Sequence, residues 1–341
     1  MPKVIQKYLS SPTLTDILAP LTGTMQRLEA FLEQQYQFFE PGVATCARYV
    51  VSNQGKRLRP AIVIFSANAQ NGRIKKSVSE DLLKACAIVE LIHIATLVHD
   101  DIMDGAELRR NRLTAGTKWG HEISVLLGDC LFAHALMLAA SYPTPWICRR
   151  VAEATNIVCS GEILQTQRRF DLKLSVPDYL KMIEMKTGAL FAVACELGAH
   201  LGGASHEQSR QFHDFGCRLG VAYQIYDDCL DLFGSEKEIG KSLGTDLQKG
   251  KLTLPVILLL QQAKESETHL VSSILLNEHA NSRAMLMEFI QRYGTLKQAA
   301  QQAKSMIHEA LLRLRPLPSN EGRRCLERLV NYLDSELNRL S

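Results

Sequence analysis

Two segments of the chain, Leu82 to Val98 and Phe212 to Tyr226, carry apolar residues on almost every helical face. A surface helix keeps its apolar residues to one stripe, so a segment apolar all round is expected to lie among other helices. Helix signals dominate elsewhere too. Ser77-Val-Ser-Glu80 and Ser205-His-Glu-Gln208 have the spacing of capping boxes, and Pro177, two residues after Ser175, sits where a first helical turn tolerates proline. The helices that follow these starts are expected to run to about Asp104, Leu201 and Phe233. Between Pro60 and Pro255 only prolines 143, 145 and 177 occur, so little interrupts the pattern. With no Gly/Ser-rich linker to mark a boundary, the pattern predicts a single all-α domain over residues 1–341, a bundle of ten or more helices. Residues 1–40, including the amphipathic MQRLEAFLEQQYQFF, read as packing or dimerisation segments, and helices without a legible motif follow Pro255.

Each of the two all-apolar segments ends in aspartates: Asp100, Asp101 and Asp104 in HDDIMD, and Asp227, Asp228 and Asp231 in YDDCLD. The C-terminal end of a helix carries partial negative charge, so carboxylates there repel the helix and one another unless cations join them. Asp100 and Asp104 share one helical face, about 6 Å apart along the axis, and so do Asp227 and Asp231. Carboxylates without His or Cys select a hard cation, and Mg2+ completes its shell with water and substrate phosphates. Two facing arrays would therefore clamp a diphosphate.

Basic residues extend this picture. GKRLRP supplies Lys56, Arg57 and Arg59; Arg109 and Arg110 follow the first array; Lys241 and Lys251 lie in the Gly-punctuated GKSLGTDLQKGKLTLP after the second. Guanidinium forks and lysine ammoniums suit diphosphate oxygens, which suggests two anionic subsites, one metal-bridged and one bound mainly by side chains.

Composition narrows the class. The 341 residues are 46% hydrophobic and 22% charged, and a net charge of +3 is too small to argue for nucleic acid. Nine cysteines without a C-x-x-C pair argue against zinc or a disulfide framework and fit a reducing cytoplasm. The N-terminus lacks a signal-peptide core, and continuous apolar runs such as Leu252 to Leu260 fall short of the ~18 residues of a membrane span, so no transmembrane segment is expected.

In this order, GKRLRP, HDDIMD…LRR, GEILQ, MKTG, QIYDDCLD and GKSLGTDLQKGK resemble the trans-type isoprenyl diphosphate synthases over a motif-bearing core of about 50–255, most nearly the octaprenyl type. The resemblance implies an isoprenoid-synthase bundle around a central cavity, commonly homodimeric, and a Mg2+-dependent prenyltransferase. Such an enzyme condenses isopentenyl diphosphate with an allylic diphosphate in successive head-to-tail steps. About three Mg2+ ions per site would be implied, with Mn2+ able to substitute. Asp100, Asp104 and Asp227 would hold them, with Asp101, Asp228 and Asp231 supporting. Arg109, Lys186, Lys241 and Lys251 would hold the allylic diphosphate. Isopentenyl diphosphate would rest on Lys56, Arg59, His93 and Arg110, His93 lying two turns before Asp100. Thr187 and Gln224 would lie near the allylic cation, with Gln165 and Gln167 as lesser or structural polar residues.

Small side chains at Ala95 and Thr96, on the helix of the first array, leave a route for a growing tail. Ile92 and Leu91, about 12 to 14 Å from Asp100 at ~1.5 Å per residue, would form a lower floor. The expected product is therefore medium or long. The alternatives are a shorter geranylgeranyl or farnesyl synthase, a class I terpene cyclase, and a non-catalytic partner subunit. A cyclase would carry a single such array with a different second metal motif and has no use for an isopentenyl site, so the second array and GKRLRP argue against it; a non-catalytic subunit would be expected to have lost aspartates or lysines that are all present here.

Overall fold

The structure, a computed structural model, describes residues 13–52, 55–72, 78–234, 244–276 and 282–340. The chain opens with α1 (Leu14–Leu18), α2 (Thr22–Gln35), α3 (Pro41–Val51), α4 (Leu58–Asn71) and α5 (Glu80–Met103). A short hairpin, β1 (Leu108–Arg109) and β2 (Arg112–Leu113), separates α5 from α6 (Ala115–Trp119) and α7 (His121–Ala140). Next come α8 (Pro145–Gln167), α9 (Val176–Ile183), one π-type turn (Glu184–Gly188), α10 (Ala189–Leu201) and α11 (His206–Phe233). The remainder is α12 (Thr245–Gln248), α13 (Leu254–Gln262), α14 (Glu265–Leu276), α15 (Ser282–Tyr293), α16 (Thr295–Leu314) and α17 (Glu321–Leu340). The all-α expectation holds, and the hairpin is the only sheet among the described residues.

Local chemistry sets the helix boundaries. Ser205 caps α11 through a reciprocal capping box with Gln208, and Ser175 caps α9 with proline in the first turn, both as the sequence predicts. The start of α5 differs. Ser79 receives the Leu82 N–H, so the cap stands two residues after the predicted one, and Ser77 lies outside the described residues. Without Glu or Gln at the third position, Ser79 caps alone.

A continuous apolar core runs from Leu14 to Leu337. At its centre α10 packs against α4, α5, α8 and α11, while α5 packs against α2, α4 and α7. This explains the all-round apolarity of α5, whose Ala85, Cys86, Ala87, Ile88 and Val89 are wholly buried. By length and composition alone α5 and α7 are each long and apolar enough to cross a membrane, although no consecutive apolar run reaches that length. For α5, burial inside the bundle accounts for that composition.

Candidate active site

Helix α5 presents its aspartates on two faces. Glu90, His93, Leu97 and Asp101 line a small cavity of about 40 Å3 together with Arg57, Arg109 and Arg110. Asp100 and Asp104 belong to the other side, facing Lys186 and Lys251. Consecutive residues on a helix point about 100° apart, so Asp100 and Asp101 serve different neighbours.

On the first side the Arg109 guanidinium forks onto Asp101, with N···O distances of 2.8, 3.0 and 2.7 Å. Burial pushes the imidazole of His93 well below its usual range, and the positive charges of Arg59, Arg109, Arg110 and Arg57 add to the effect, so the ring is neutral near pH 7. Arg59 lies 4.9 Å over the Phe191 ring, and its buried Nε has no hydrogen-bond partner. Arg110 holds φ +51° in the hairpin turn, a left-handed conformation costly for arginine, and its guanidinium lies so close to Gly55 that a Cβ there would clash with it. Lys56 is exposed. Arg57 differs from the other cations. It is buried and fully engaged, bonding Glu90 at 2.7 Å, Glu29 at 2.9 and 3.2 Å, and the Val51 carbonyl at 2.9 Å. It braces α2, α3 and α5.

On the other side the π-type turn widens the helix so that Lys186 and Thr187 both face inward. A Cβ on Gly161 would lie 2.7 Å from the Lys186 backbone nitrogen, so glycine lets α8 approach this turn. Lys186 donates to Glu162 at 2.6 Å and Gln165 at 2.9 Å. Burial works against its charge, but Asp100 and Glu162 hold its ammonium above the usual lysine range, with Asp246 adding to them. Burial also pushes the Asp100 carboxyl up to about 6, with Lys186 drawing it back. Asp104 receives Lys251 at 2.9 Å, Arg169 at 3.2 Å and Lys249 at 3.8 Å. Burial opposes its charge, but Lys251 and Lys249 hold its carboxyl below the usual range. Phe170, at φ +61°, donates its N–H to the Gly250 carbonyl at 2.8 Å, and its ring occupies the space a Gly250 Cβ would need. That contact fixes Arg169, Lys249 and Lys251 relative to one another.

From α11, Asp227 stands near Arg59, and Asp231 is buried and accepts the Asp246 N–H at 3.2 Å. Both oxygens of Asp228 face inward, one accepting from Tyr179 at 2.6 Å and the other from Gln224 at 2.7 Å. Burial and the neighbouring Asp246 push this carboxyl up to about 7. Thr187 donates to Gln224 at 2.6 Å.

The predicted residues therefore gather around two sides of one helix end, with two exceptions. Lys241 lies outside the described residues and Gln167 is exposed at the end of α8; a concavity of about 540 Å3 between α8, α10 and α11 includes none of the predicted residues. Ala95, Ile92 and Leu91 are buried along α5, and Thr96, half-buried, bonds the His93 carbonyl. Sequence reasoning missed Glu90, Glu162, Arg169, Tyr179, Asp246 and Lys249. Glu162, Asp246 and Lys249 stood inside quoted motifs, whereas nothing local marks Tyr179 or Arg169.

The carboxylates suit a hard divalent cation by donor type. Among the described residues no three His, Cys, Asp or Glu side chains converge to enclose a metal unaided. A cation here would draw part of its shell from water or substrate, as the all-oxygen donor set favours.

Residues 40–292 match the family model described as polyprenyl synthetase. The chain is 31% identical over 281 residues to octaprenyl diphosphate synthase of Escherichia coli, covering 82% of this chain and 85% of that protein. It is also 31% identical over 291 residues to a short chain isoprenyl diphosphate synthase of Methanothermobacter thermautotrophicus, covering 84% and 88%. In structure it resembles a polyprenyl synthase from Caulobacter crescentus complexed with calcium and isoprenyl diphosphate, at a TM-score of 0.88, 31% identity and coverage of 96% and 98%.

Arg57→Met is expected to destabilise the protein by about 3–5 kcal/mol, because it leaves Glu90 charged and unpaired in the interior. A urea midpoint equal to the parent's would show that Arg57 is no structural brace.

Proposed function

The chain belongs to the polyprenyl synthetase family and is a prenyltransferase, a trans-polyprenyl diphosphate synthase, and from that premise we propose how its residues divide the reaction. The observation that carries the reading is the position of Lys186, set among the carboxylates of Asp100, Glu162 and Asp246. In this reading Asp100, Asp104 and Asp227 hold Mg2+, with Asp101, Asp228 and Asp231 braced behind them. The calcium and isoprenyl diphosphate bound by the Caulobacter relative support an oxygen-ligated divalent cation here. When bound, the metal neutralises charge gathering on the departing diphosphate.

The protein's own groups supply the rest. Lys186 and Lys251 hold the allylic diphosphate, joined by Lys241 of the sequence motif. Arg109, between the two sides, serves both. Arg59, with its unpartnered buried Nε, takes isopentenyl diphosphate together with Arg110, Lys56 and the neutral His93. Thr187 and Gln224 turn oxygen dipoles toward the allylic cation, and the isopentenyl double bond attacks it before a proton passes to the released diphosphate. The apolar faces of α5, α10 and α11 keep water from quenching the cation.

We further propose a homodimer. Ile123, Leu126, Cys130, Ala133, Met137 and Ala140 repeat at three- and four-residue steps along the face of α7 turned away from the core, and Leu126 is 63% exposed. That is the stripe by which helices pair. A second copy would cover it. The nine unpaired thiols support a reducing, cytoplasmic setting.

Relatives equally similar to this chain differ in product length, so length is argued from α5. Ala95 is small and wholly buried, and the tail is proposed to pass it toward Ile92.

Three outcomes are expected. Turnover should require Mg2+ or Mn2+ and fall by orders of magnitude in Asp100→Ala and Asp227→Ala, whereas turnover persisting in excess chelator would remove the metal clamp from the mechanism. Leu126→Glu should shift the sedimentation coefficient from dimer to monomer, and an unchanged value would place the interface elsewhere. Ala95→Phe should stay active but release shorter products by chromatography; an unaltered product would mean that the tail does not pass Ala95.

A further inference from the structure

Four side chains from three elements form one hydrogen-bonded chain. Tyr179 of α9 donates to Asp228 at 2.6 Å, Gln224 donates to the other Asp228 oxygen at 2.7 Å, and Thr187 of the π-type turn donates to the Gln224 carbonyl at 2.6 Å. Tyr179 is 1% exposed, Asp228 5% and Thr187 5%, while Gln224 is half-buried, so the Tyr179–Asp228 end of the chain is the one shielded from solvent.

We propose that Tyr179 is a positioning residue for prenyl transfer, fixing through Asp228 and Gln224 the direction in which the Thr187 oxygen faces the allylic carbon. The inference rests on the functional reading above.

The argument follows from what each group can donate. The Gln224 NH2 lies 2.7 Å from Asp228, so the amide presents its donor end to that carboxyl. The amide oxygen then faces Thr187, whose hydroxyl has one proton and spends it there. The remaining lone pairs of the Thr187 oxygen are left to interact with developing positive charge, and the hydrogen bond to Asp228 polarises the amide in the direction that enriches them. Tyr179 holds the other end. Without its hydroxyl, one Asp228 oxygen loses its donor, the carboxylate can rotate, and the Gln224 amide is no longer fixed in one orientation. Tyr179 and Thr187 also lie eight residues apart on one continuous helical run, so they grip α11 from two points and set its distance from the π-type turn.

Tyr179→Phe keeps the ring that fills the buried slot and removes only the donor. At a temperature well below the melting midpoint, kcat with a short allylic substrate should fall about 10- to 100-fold, the range for lost supports of reacting groups. KM for isopentenyl diphosphate should stay within about twofold, and the Kd of an unreactive allylic thiolodiphosphate with Mg2+, measured by calorimetry, within about threefold. Thr187→Val should lower kcat by itself, and adding Tyr179→Phe should cost little more, since both break one chain. Gln224→Met, which breaks the chain at its middle, should give the same split and carries the cycle with Thr187→Val if Tyr179→Phe does not fold.

A kcat within about threefold of the parent, fully multiplicative effects in the double variant, or a tenfold loss of analogue binding would each overturn the inference. The last would place Tyr179 on the diphosphate clamp. A parent enzyme without prenyl transfer would overturn the functional reading and this inference with it, whereas an active parent with an unimpaired Tyr179→Phe overturns the inference alone.

Discussion

Carboxylates crowded at the C-terminal ends of apolar helices set the terms for the rest of the molecule. Burial makes their charge costly, and neighbouring carboxylates and helix dipoles add to the cost. Every nearby element contributes a positive group. Lys186 comes from the π-type turn, Arg109 from the hairpin, Arg169 from the end of α8, and Lys249 and Lys251 from the segment before α13. These groups come from parts of the chain as much as 147 residues apart, so tertiary folding and charge compensation are one event.

The same constraint explains why α5 can serve two anionic ligands. Asp101 looks toward the arginine-rich cavity and Asp100 toward Lys186, so successive residues divide one helix end between two chemistries. Arg109, locked onto Asp101, stands at the boundary. The neutral His93 fits this division, because an uncharged ring among arginines adds a hydrogen-bonding group without further repulsion.

Much of this was legible in the sequence, for identifiable reasons. The helical repeat of 3.6 residues and the Asp spacings revealed α5 and α11 as buried helices with charged ends, because both patterns are local. The basic residues after each array were legible as a group, but their roles were not. Arg57 and Arg59 look equivalent in GKRLRP, yet one is spent on Glu29 and Glu90 while the other keeps an unpartnered nitrogen; only the packing of α2 against α5 separates them. Tyr179 and Arg169 gave no signal, since their meaning depends on partners 49 and 65 residues away. The cap of α5 was misplaced by two residues because two serines compete there, and local sequence does not choose between them.

The contact between Phe170 and Gly250 has a bearing on how such a site can change over generations. A phenylalanine in a left-handed conformation sits where only a glycine leaves room, and the two loops it joins deliver all three cations that meet Asp104. Any side chain at 250 would displace the ring and move Arg169 away from the lysines. Drift at either position is therefore felt by three charges together, and the pair behaves as one inherited unit although 80 residues of sequence divide it.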